Sequence, residues 1–249
     1  MIERNGVLFV NYNEKLSKKN LERFWKKGGH TIQHLSTGHD NVDKDWVKHY
    51  SLKQKWLPDY SSDSVADLTI SLIIDLYRKT QRPTKAKHKH YFVYSKKAKE
   101  LKNKQALVIG SEGAIGKKVC KRLKAFGCKI LGFDLKNKNS LLLLDAYLAK
   151  ANIIVLCLNG ENNKNFFNWG FFKSLKNRPI LVNIVRKELV KEINVRKALK
   201  KGLISGYAVD DEIWNPDLKK HPNVIYTEHV GARTIEAQER KTKLLRKQK

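Results

Sequence analysis

The sequence has little cysteine, and the three cysteines it has form no recognisable metal-binding pattern. Cys120, Cys128 and Cys157 fall in predicted helix or strand segments, with no metal-type pairing among them. A secreted domain stapled by disulfides would use more cysteine, so we predict a reduced protein of the cytoplasm. His88 and His90 lie in a basic segment without nearby cysteines or acids, so we predict no metal site.

Long apolar runs are also missing from the sequence. No run approaches the ~20 residues that cross a bilayer, and the first ten residues lack the apolar core of a secretory signal. We therefore predict no membrane association. The hydrophobic content of 41% is nevertheless too high for a disordered chain, and 249 residues suffice for one large or two small domains.

Acidic residues are scarce as well. The chain has 24 Asp and Glu against 51 Lys and Arg, which gives a formal net charge of +27. Only 11 of the basic residues are arginine, and the lysines are spread over the whole length. Nucleic-acid sites concentrate charge on one face and use arginine to read base edges. We expect non-specific attraction to nucleic acid at most, and no dedicated recognition of it.

The most informative stretch runs from residue 105 to residue 134. A short apolar run at 105–109 predicts a buried parallel strand, and helical spacing follows from Lys117 to Phe126. Between them lie three glycines, Gly110, Gly113 and Gly116. A second apolar run ends at Asp134, eighteen residues after Gly116. This order of strand, glycine turn, helix, strand and acid is typical of a dinucleotide site, because glycines let the backbone approach a diphosphate at a helix N-terminus.

The glycine turn departs from the usual spacing by one residue, and Glu112 places a negative charge beside it. A plain strand-to-helix turn of another α/β protein therefore stays open as an alternative at this point. The helix, the second strand and the terminal acid favour the dinucleotide interpretation. Asp134 indicates NAD, because a 2′-phosphate would meet its carboxylate, although Lys136 and Lys138 could soften that preference.

Strand and helix patterns alternate along the whole chain. We predict strands at 6–11, 31–35, 105–109, 129–133, 152–158, 179–183, 203–209 and 223–226, and helices at 17–27, 65–79, 117–126, 141–150, 188–201 and 234–249. Alternation of this kind predicts an α/β fold with a doubly wound parallel sheet.

Four polar residues follow the ends of the later predicted strands, where open α/β sheets place their sites: Arg186, Asp210, Asn215 and His229. Each has a plain explanation as a surface charge, a turn former or a loop residue. Together they suggest hydride chemistry, with Arg186 holding a carboxylate and His229 exchanging a proton at the reacting carbon's oxygen.

Over nearly its whole length the chain resembles the D-isomer-specific 2-hydroxyacid dehydrogenases. The resemblance rests on ordered segments: GHDNVD at 38–43, PDYSSDSVAD at 58–67, ELKNKQALVIG at 100–110, GAIG at 113–116 with Asp134, ILVNIVRKELV at 180–190, ISGYAVDDEIWNP at 204–216 and NVIYTEHVGART at 223–234.

The resemblance implies a homodimeric NAD enzyme that acts on a small 2-keto or 2-hydroxy acid. It implies a Rossmann NAD-binding domain at 61–235 and a smaller flavodoxin-like substrate domain at 1–60, rejoined by a helix at 236–249. The substrate domain is expected to be truncated, because the GHDNVD loop arrives early.

The same resemblance assigns the site residues. The catalytic set is Arg186, His229 and Asn215, and the substrate set is Thr37, Gly38 and Arg186. The cofactor set is Gly110, Gly113, Ala114, Ile115, Gly116, Asp134, Asn159, Ile184, Val185, Asp210 and Gly231.

One departure from the family matters for the chemistry. The glutamate that pairs with the histidine in the family is Asn215 here, and an amide orients an imidazole without adding charge. Glu228, next to the histidine, could supply the missing charge. Formate dehydrogenases, which belong to the same family, carry an amide at this place, so formate oxidation is an alternative. A second alternative is a degenerate NAD-binding protein used for sensing or protein interaction.

Overall fold

The structure, a computed structural model, describes residues 2–11, 14–36, 41–80, 98–158 and 166–246. The chain divides into two compact units, residues 1–60 with 235–249 and residues 61–234. We call them the amino-terminal unit and the central unit.

The amino-terminal unit contains a four-stranded sheet in the order β1-β2-β3-β4. Its strands are β1 (Ile2–Arg4), β2 (Val7–Val10), β3 (Thr31–His34) and β4 (Lys53–Lys55), and its first helices are α1 (Lys18–Lys26) and α2 (Lys44–His49). Strands β2, β3 and β4 are parallel, whereas β1 pairs antiparallel with β2 across a two-residue Asn5-Gly6 turn. Both turn residues have positive φ angles, 49° and 70°, as an Asn-Gly hairpin requires.

The central unit contains a six-stranded, all-parallel sheet. Its strands are β5 (Gln105–Ile109), β6 (Lys129–Phe133), β7 (Ile153–Leu156), β8 (Ile180–Asn183), β9 (Gly206–Val209) and β10 (Val224–Tyr226), in the order β10-β9-β8-β7-β5-β6. The helices are α3 (Ser62–Arg78), α4 (Ala114–Ala125), α5 (Lys138–Lys150), α6 (Trp169–Lys173), α7 (Glu192–Lys200) and α8 (Pro216–Lys219), with a 3-10 turn at Lys187–Leu189. Helix α9 (Ile235–Arg246) belongs to the amino-terminal unit.

Both faces of the six-stranded sheet are buried. Alternate residues of β5 enter different apolar clusters, with Leu107 and Ile109 in one and Ala106 and Val108 in the other. The first cluster includes residues of α5, α6 and α7, and the second includes residues of α3 and α4. This two-sided burial explains the uninterrupted apolar runs of the strands. The predicted doubly wound α/β fold is confirmed.

The predicted helix at 188–201 is wrong in its first turn. The chain forms a 3-10 turn at Lys187–Leu189, then extends at Val190 (φ −128°, ψ 107°) before α7 begins at Glu192. Leu189 and Val190 are both 1% exposed, so burial of two consecutive apolar side chains overrides helical spacing here. Within the described ranges, no helix has the length and apolar character of a membrane span.

Candidate active site

The strand order reverses at β5, which lies between β6 on one side and β7 on the other. Open α/β sheets bind ligands at such a reversal, in the crevice beyond the carboxyl ends of the strands. Gly110 follows β5 at this point with a φ of +91°, and a Cβ atom there would lie 2.7 Å from the carbonyl carbon of Cys157. Only glycine therefore lets the two central strands end this close together.

The next two glycines bring helix α4 onto the end of β5. A Cβ atom on Gly116 would lie 2.0 Å from the carbonyl oxygen of Gly110, which no side chain permits. Gly113 is the N-cap residue of α4, and no side chain caps the helix there. The positive end of a twelve-residue helix is thus presented at the reversal point, as a diphosphate requires.

The cysteines nearest this turn, Cys120 and Cys157, carry no negative charge that would repel a bound anion. Burial raises the pKa of Cys120 to about 11 and also raises the pKa of Cys157, so both thiols are neutral at physiological pH.

Asp134 lies directly after β6, beside the glycine turn. Its carboxylate accepts the backbone N–H groups of Glu112 at 3.4 Å and Lys136 at 3.1 Å. The side chain of Glu112 accepts a hydrogen bond from Asn137 Nδ2 at 3.4 Å, so this carboxylate is held on the Asp134 side of the turn. The glycine cradle, the open helix end and the fixed acid together fit a dinucleotide with a free ribose 2′-hydroxyl.

Arg186 follows strand β8 in an extended conformation fixed by a buried amide. Asn183, which is fully buried, donates its Nδ2 to the carbonyl oxygen of Arg186 at 2.7 Å and accepts the N–H of Val185 at 3.1 Å. Ile184 is buried and Val185 half-buried in the same turn. The loop after β8 is therefore clamped from within, which fixes the backbone that carries the Arg186 guanidinium.

Asp210 follows strand β9 and holds the loop that carries His229. Its Oδ1 accepts Thr227 Oγ1 at 2.7 Å and the N–H of Val230 at 2.8 Å, and its Oδ2 accepts the N–H of Gly231 at 2.9 Å. A Cβ atom on Gly231 would lie 2.7 Å from Asp210 Oδ2, so this approach requires glycine. With 5% of Asp210 exposed, these bonds satisfy a carboxylate that would otherwise be costly to bury.

His229 adopts a φ of +52°, an uncommon conformation for a residue with a side chain. Burial lowers the pKa of its imidazole most, and the positive charges of Arg186 and then Arg233 lower it further. The carboxylates of Asp210 and Asp211 act in the opposite direction and raise that pKa. The structure thus brings Arg186, Asp210 and His229 into one electrostatic site at the carboxyl edge of the sheet.

Comparison with known proteins agrees with this geometry. The family model for "D-isomer specific 2-hydroxyacid dehydrogenase, NAD binding domain" matches residues 70–231. The chain belongs to this family. Residues 70–231 are accordingly an NAD-binding domain, and the resemblance inferred from the sequence is confirmed.

Related 2-hydroxyacid dehydrogenases match most of the chain. D-lactate dehydrogenase from Streptococcus agalactiae is 27% identical over 237 residues, which is 83% of this chain and 71% of that protein. A D-specific alpha-keto acid dehydrogenase from Enterococcus faecium is 27% identical over 255 residues, 94% of this chain and 79% of that protein. The apo-structure of D-lactate dehydrogenase from Escherichia coli covers 97% of this chain and 81% of its own, with 26% identity and a TM-score of 0.78.

Asn215, at the position of the family's glutamate, caps a helix. Its side-chain oxygen accepts the N–H of Leu218 at 3.0 Å at the start of α8, and its own N–H donates to Glu192 Oε2 at 2.7 Å. The hydrogen bond described for this side chain therefore joins it to α8 and not to His229. The pattern Asn-Pro, with proline at the first helical position, is the sequence signal of this cap.

Asp211 and Lys187 form a charged pair on the same sheet edge, which the sequence interpretation did not single out. Asp211 Oδ2 accepts the N–H of Lys187 at 3.4 Å, and its Oδ1 lies 3.7 Å from the Lys187 ammonium. That ammonium also lies 3.7 Å from the ring centroid of Trp214. Both charges are largely shielded, with side-chain exposures of 18% for Lys187 and 19% for Asp211. Consecutive acids at 210–211, directly after a strand, are the signal that could have identified the second carboxylate.

Three predicted positions, Thr37, Gly38 and Asn159, lie outside the described residues. Within the described part of the chain, no group of three or more His, Cys, Asp or Glu side chains could hold a metal ion.

Proposed function

We propose that this protein is an NAD-dependent oxidoreductase that transfers hydride between the nicotinamide and a small 2-keto or 2-hydroxy acid. The observation that carries the proposal is the assembly of Arg186, Asp210 and His229 on the same sheet edge as the glycine turn and Asp134. We assign cofactor binding to the central unit, and the role of substrate domain to the amino-terminal unit.

The residues around the reversal point would hold NAD. Gly110, Gly113 and Gly116, with the N–H groups of Ala114 and Ile115, would surround the diphosphate, and Asp134 would accept the ribose hydroxyls. We place the remaining cofactor contacts at the ends of the later strands: Asn159, Ile184, Val185, Asp210 and Gly231. When bound, NAD supplies the hydride acceptor or donor, chemistry that no amino-acid side chain offers.

Arg186 and His229 would act on the substrate. The guanidinium would bind the substrate carboxylate in bidentate fashion, with the backbone at Thr37 and Gly38 as a second anchor. In the reducing direction His229 would donate its ring proton to the carbonyl oxygen as the carbonyl carbon accepts hydride. In the oxidising direction the neutral ring would take the hydroxyl proton. Asp210 would keep the histidine loop in place through its three hydrogen bonds.

The lowered pKa of His229 makes the favoured direction of the reaction depend on pH. Because burial and Arg186 lower its pKa, the free protein at neutral pH holds a mostly neutral ring, which is the base needed for oxidation. The protonated form needed for reduction is populated as pH falls through that lowered pKa. A bound substrate carboxylate would neutralise Arg186, the second cause of the lowering, and so restore part of the proton affinity when it is needed.

A direct assay tests the proposal. NADH oxidation should occur with glyoxylate, pyruvate or hydroxypyruvate, and should be lost in Arg186→Ala and in His229→Ala. NADH binding, followed by fluorescence, should persist in both variants, because neither residue lies in the diphosphate cradle. If NADH binds but a broad screen of keto acids and formate gives no turnover, the protein is an NAD-binding sensor instead. Turnover with formate but with no keto acid in that screen would favour the formate alternative.

Two further expectations belong to the proposal. We expect a homodimer, as the family resemblance implies, and light scattering at micromolar concentration would test it. We also place the protein in the cytoplasm, since Cys120, Cys128 and Cys157 are all free thiols.

A further inference from the structure

The backbone of the His229 loop is held in an uncommon conformation. His229 has a φ of +52°, a left-handed value that a residue with a side chain keeps only where its surroundings determine it. The loop continues into Gly231, and glycine has the fewest restraints on its own backbone dihedrals. A side chain that exchanges a proton with substrate must stay within about 0.5 Å of its productive place. The contacts that fix this loop therefore bear directly on the proposed chemistry.

Asp210 holds the N–H groups of the loop. Its carboxylate accepts the N–H of Val230 at 2.8 Å and that of Gly231 at 2.9 Å. These bonds do not fix the carbonyl of Gly231, and so they do not fix the direction in which the chain leaves the loop. Gly231 is buried, and a buried carbonyl oxygen needs a hydrogen-bond donor.

The donor to that carbonyl is Ser64, in the first turn of α3. Its hydroxyl donates to the carbonyl oxygen of Gly231 at 2.5 Å, and 5% of Ser64 is exposed. A serine or threonine within a helix commonly bonds a carbonyl of its own helix, as Thr69 does with Val65 at 2.7 Å. Ser64 instead joins α3 to a loop 167 positions further along the chain. Its hydroxyl therefore stabilises the tertiary structure and not the helix.

Helix α3 approaches the loop closely because Gly231 has no side chain. A Cβ atom at that position would lie 3.2 Å from Val65 Cγ2 and 3.6 Å from Leu68 Cδ2, besides 2.7 Å from Asp210 Oδ2. Gly231 thus lies between the carboxylate that follows β9 and one face of α3. Its N–H is bound on the first side and its carbonyl on the second.

Ion pairs join the same turn of α3 to α4. Asp63, next to Ser64, lies 2.6 Å from the Lys118 ammonium and 3.1 Å from the Arg122 guanidinium. Arg122 also pairs with Asp67 at 2.7 Å. Helix α4 begins in the glycine turn, where we place the diphosphate of the cofactor. The first turn of α3 therefore connects the helix of the proposed cofactor site with the loop of the proposed proton donor.

We propose that Ser64 is a positioning residue for His229. Its hydroxyl holds the carbonyl side of the loop while Asp210 holds the N–H side, and together they keep the histidine in its left-handed conformation at a fixed place relative to α4. Ser64 acts only through the peptide group of Gly231. The inference rests on the proposed function, since the place of His229 matters for turnover only if it exchanges a proton with substrate.

Amide hydrogen exchange of the full chain, without cofactor or substrate, tests the anchoring. Ser64→Ala removes the donor, so exchange at the N–H groups of Val230 and Gly231 should become about tenfold faster. Exchange at Leu107, in the central strand β5, reports global unfolding, and a larger acceleration in the loop than at Leu107 marks local release of the loop. Thr69→Val is the matched control, because it removes a buried hydroxyl of α3 whose bond stays within the helix. In this control the loop amides should exchange no faster than Leu107 does.

Steady-state kinetics tests what the anchoring does. In Ser64→Ala, kcat for keto-acid reduction should fall about three- to tenfold, because the proton donor is misplaced. KM for the keto acid and the dissociation constant of NADH should change by less than about twofold, since Arg186 and the glycine turn are untouched. Ser64→Thr keeps the hydroxyl and should recover most of the lost kcat. A merely structural role of Ser64 would lower stability, as Thr69→Val does, and leave kcat unchanged.

The outcomes separate the inference from the proposed function. Unchanged loop exchange in Ser64→Ala, or faster exchange with an unchanged kcat, would overturn the inference even if the protein reduces keto acids. Faster loop exchange in a protein that reduces no keto acid would contradict the proposed function, whereas the anchoring of the His229 loop by Ser64 would stand.

Discussion

The two edges of the six-stranded sheet differ in their balance of charge: the carboxyl edge is mixed, and the amino edge is strongly basic. Among the described residues, the segments that follow the strands hold seven acids and five bases: Glu112, Asp134, Glu188, Asp210, Asp211, Glu212 and Glu228, with Lys136, Arg186, Lys187, Lys191 and Arg233. The helix ends and loops that lead into the strands hold one acid, Glu100, and twelve exposed bases: Lys99, Lys102, Lys124, Lys129, Lys150, Lys173, Lys176, Arg178, Lys200, Lys201, Lys219 and Lys220. The large positive net charge therefore lies mainly away from the candidate active site.

The two edges also differ in whether their charged side chains have fixed partners. At the carboxyl edge, Asp210, Asp211 and Asp134 accept backbone N–H groups or ion-pair partners and are at least half-buried. At the amino edge, none of the twelve bases forms an ion pair with another described residue. Bases at helix C-termini complement the helix dipole, which needs no ligand to explain it. In this sheet, the candidate site is therefore distinguished by charged side chains that are buried and have fixed partners, and not by the number of charges.

The largest effect is expected from the cation at the carboxyl edge. Arg186→Ala should reduce kcat/KM for keto-acid reduction by about 10³-fold or more, because the substrate carboxylate loses its bidentate partner. Arg186→Lys restores the charge but not the planar fork, and should recover only part of the loss. Steady-state kinetics on both variants checks this. Equal activity of the alanine variant and the unmodified protein would show that Arg186 is an ordinary surface charge.

The second effect concerns the helix that the glycine turn holds against β5. Gly116→Ala introduces an atom 2.0 Å from the carbonyl oxygen of Gly110, so α4 must move away from the strand. We expect a loss of about 2 to 4 kcal/mol in the free energy of unfolding, together with weaker NADH binding. Gly113→Ala is the matched control, since its Cβ atom would lie 3.4 Å from the same oxygen. Urea titrations of both variants measure the two losses. A large loss in Gly116→Ala alone would show that the close approach at residue 116 requires glycine, whereas equal losses would show that the whole turn does.

The third effect concerns cofactor choice at the same edge. Asp134→Ala should weaken NADH binding about tenfold, because two ribose hydroxyls lose their acceptor. Binding of NADPH should weaken less or improve, since its 2′-phosphate no longer meets a carboxylate. Fluorescence titration with both dinucleotides measures the ratio. An equal loss for the two cofactors would place Asp134 outside the ribose site.

Much of this architecture could be read from the sequence because its signals are local. The strands at 105–109 and 129–133 have the predicted bounds, and the helix predicted at 17–27 begins after Ser17, which caps α1 through its hydroxyl. The amino-terminal hairpin was missed although Asn5-Gly6 is a strong turn signal, because its first strand has only three residues. Helix α8 was missed because four residues give no periodicity, although Asn-Pro announces its start.

The site was only partly predictable, because the partners of a side chain depend on the fold. The predicted strand ends placed Arg186, Asp210 and His229 at one sheet edge, where the structure also has them, but they did not indicate which groups each side chain contacts. The role of Asn215 as partner of the histidine came from correspondence with a family motif, whereas in the structure its side-chain oxygen accepts the N–H of Leu218. The bond from Asp211 to the backbone of Lys187 joins residues 24 positions apart, on loops after adjacent strands, and no local pattern encodes it.

The smallest effect on turnover is expected at the amino edge of the sheet, because its bases are predicted to have no role in catalysis. Replacing Lys200 and Lys201 together by glutamine should leave kcat/KM within about twofold, because these exposed bases lie opposite the site and surface charges are screened. Both residues are at the end of α7, so a loss of about 0.3 to 1 kcal/mol in unfolding free energy is expected from the helix dipole alone. Lys187→Gln is the matched control at the carboxyl edge, where one removed charge should shift the pH profile. If the amino-edge pair changed turnover more than Lys187→Gln did, charge at that edge would belong to the function and not to the stability of the helix.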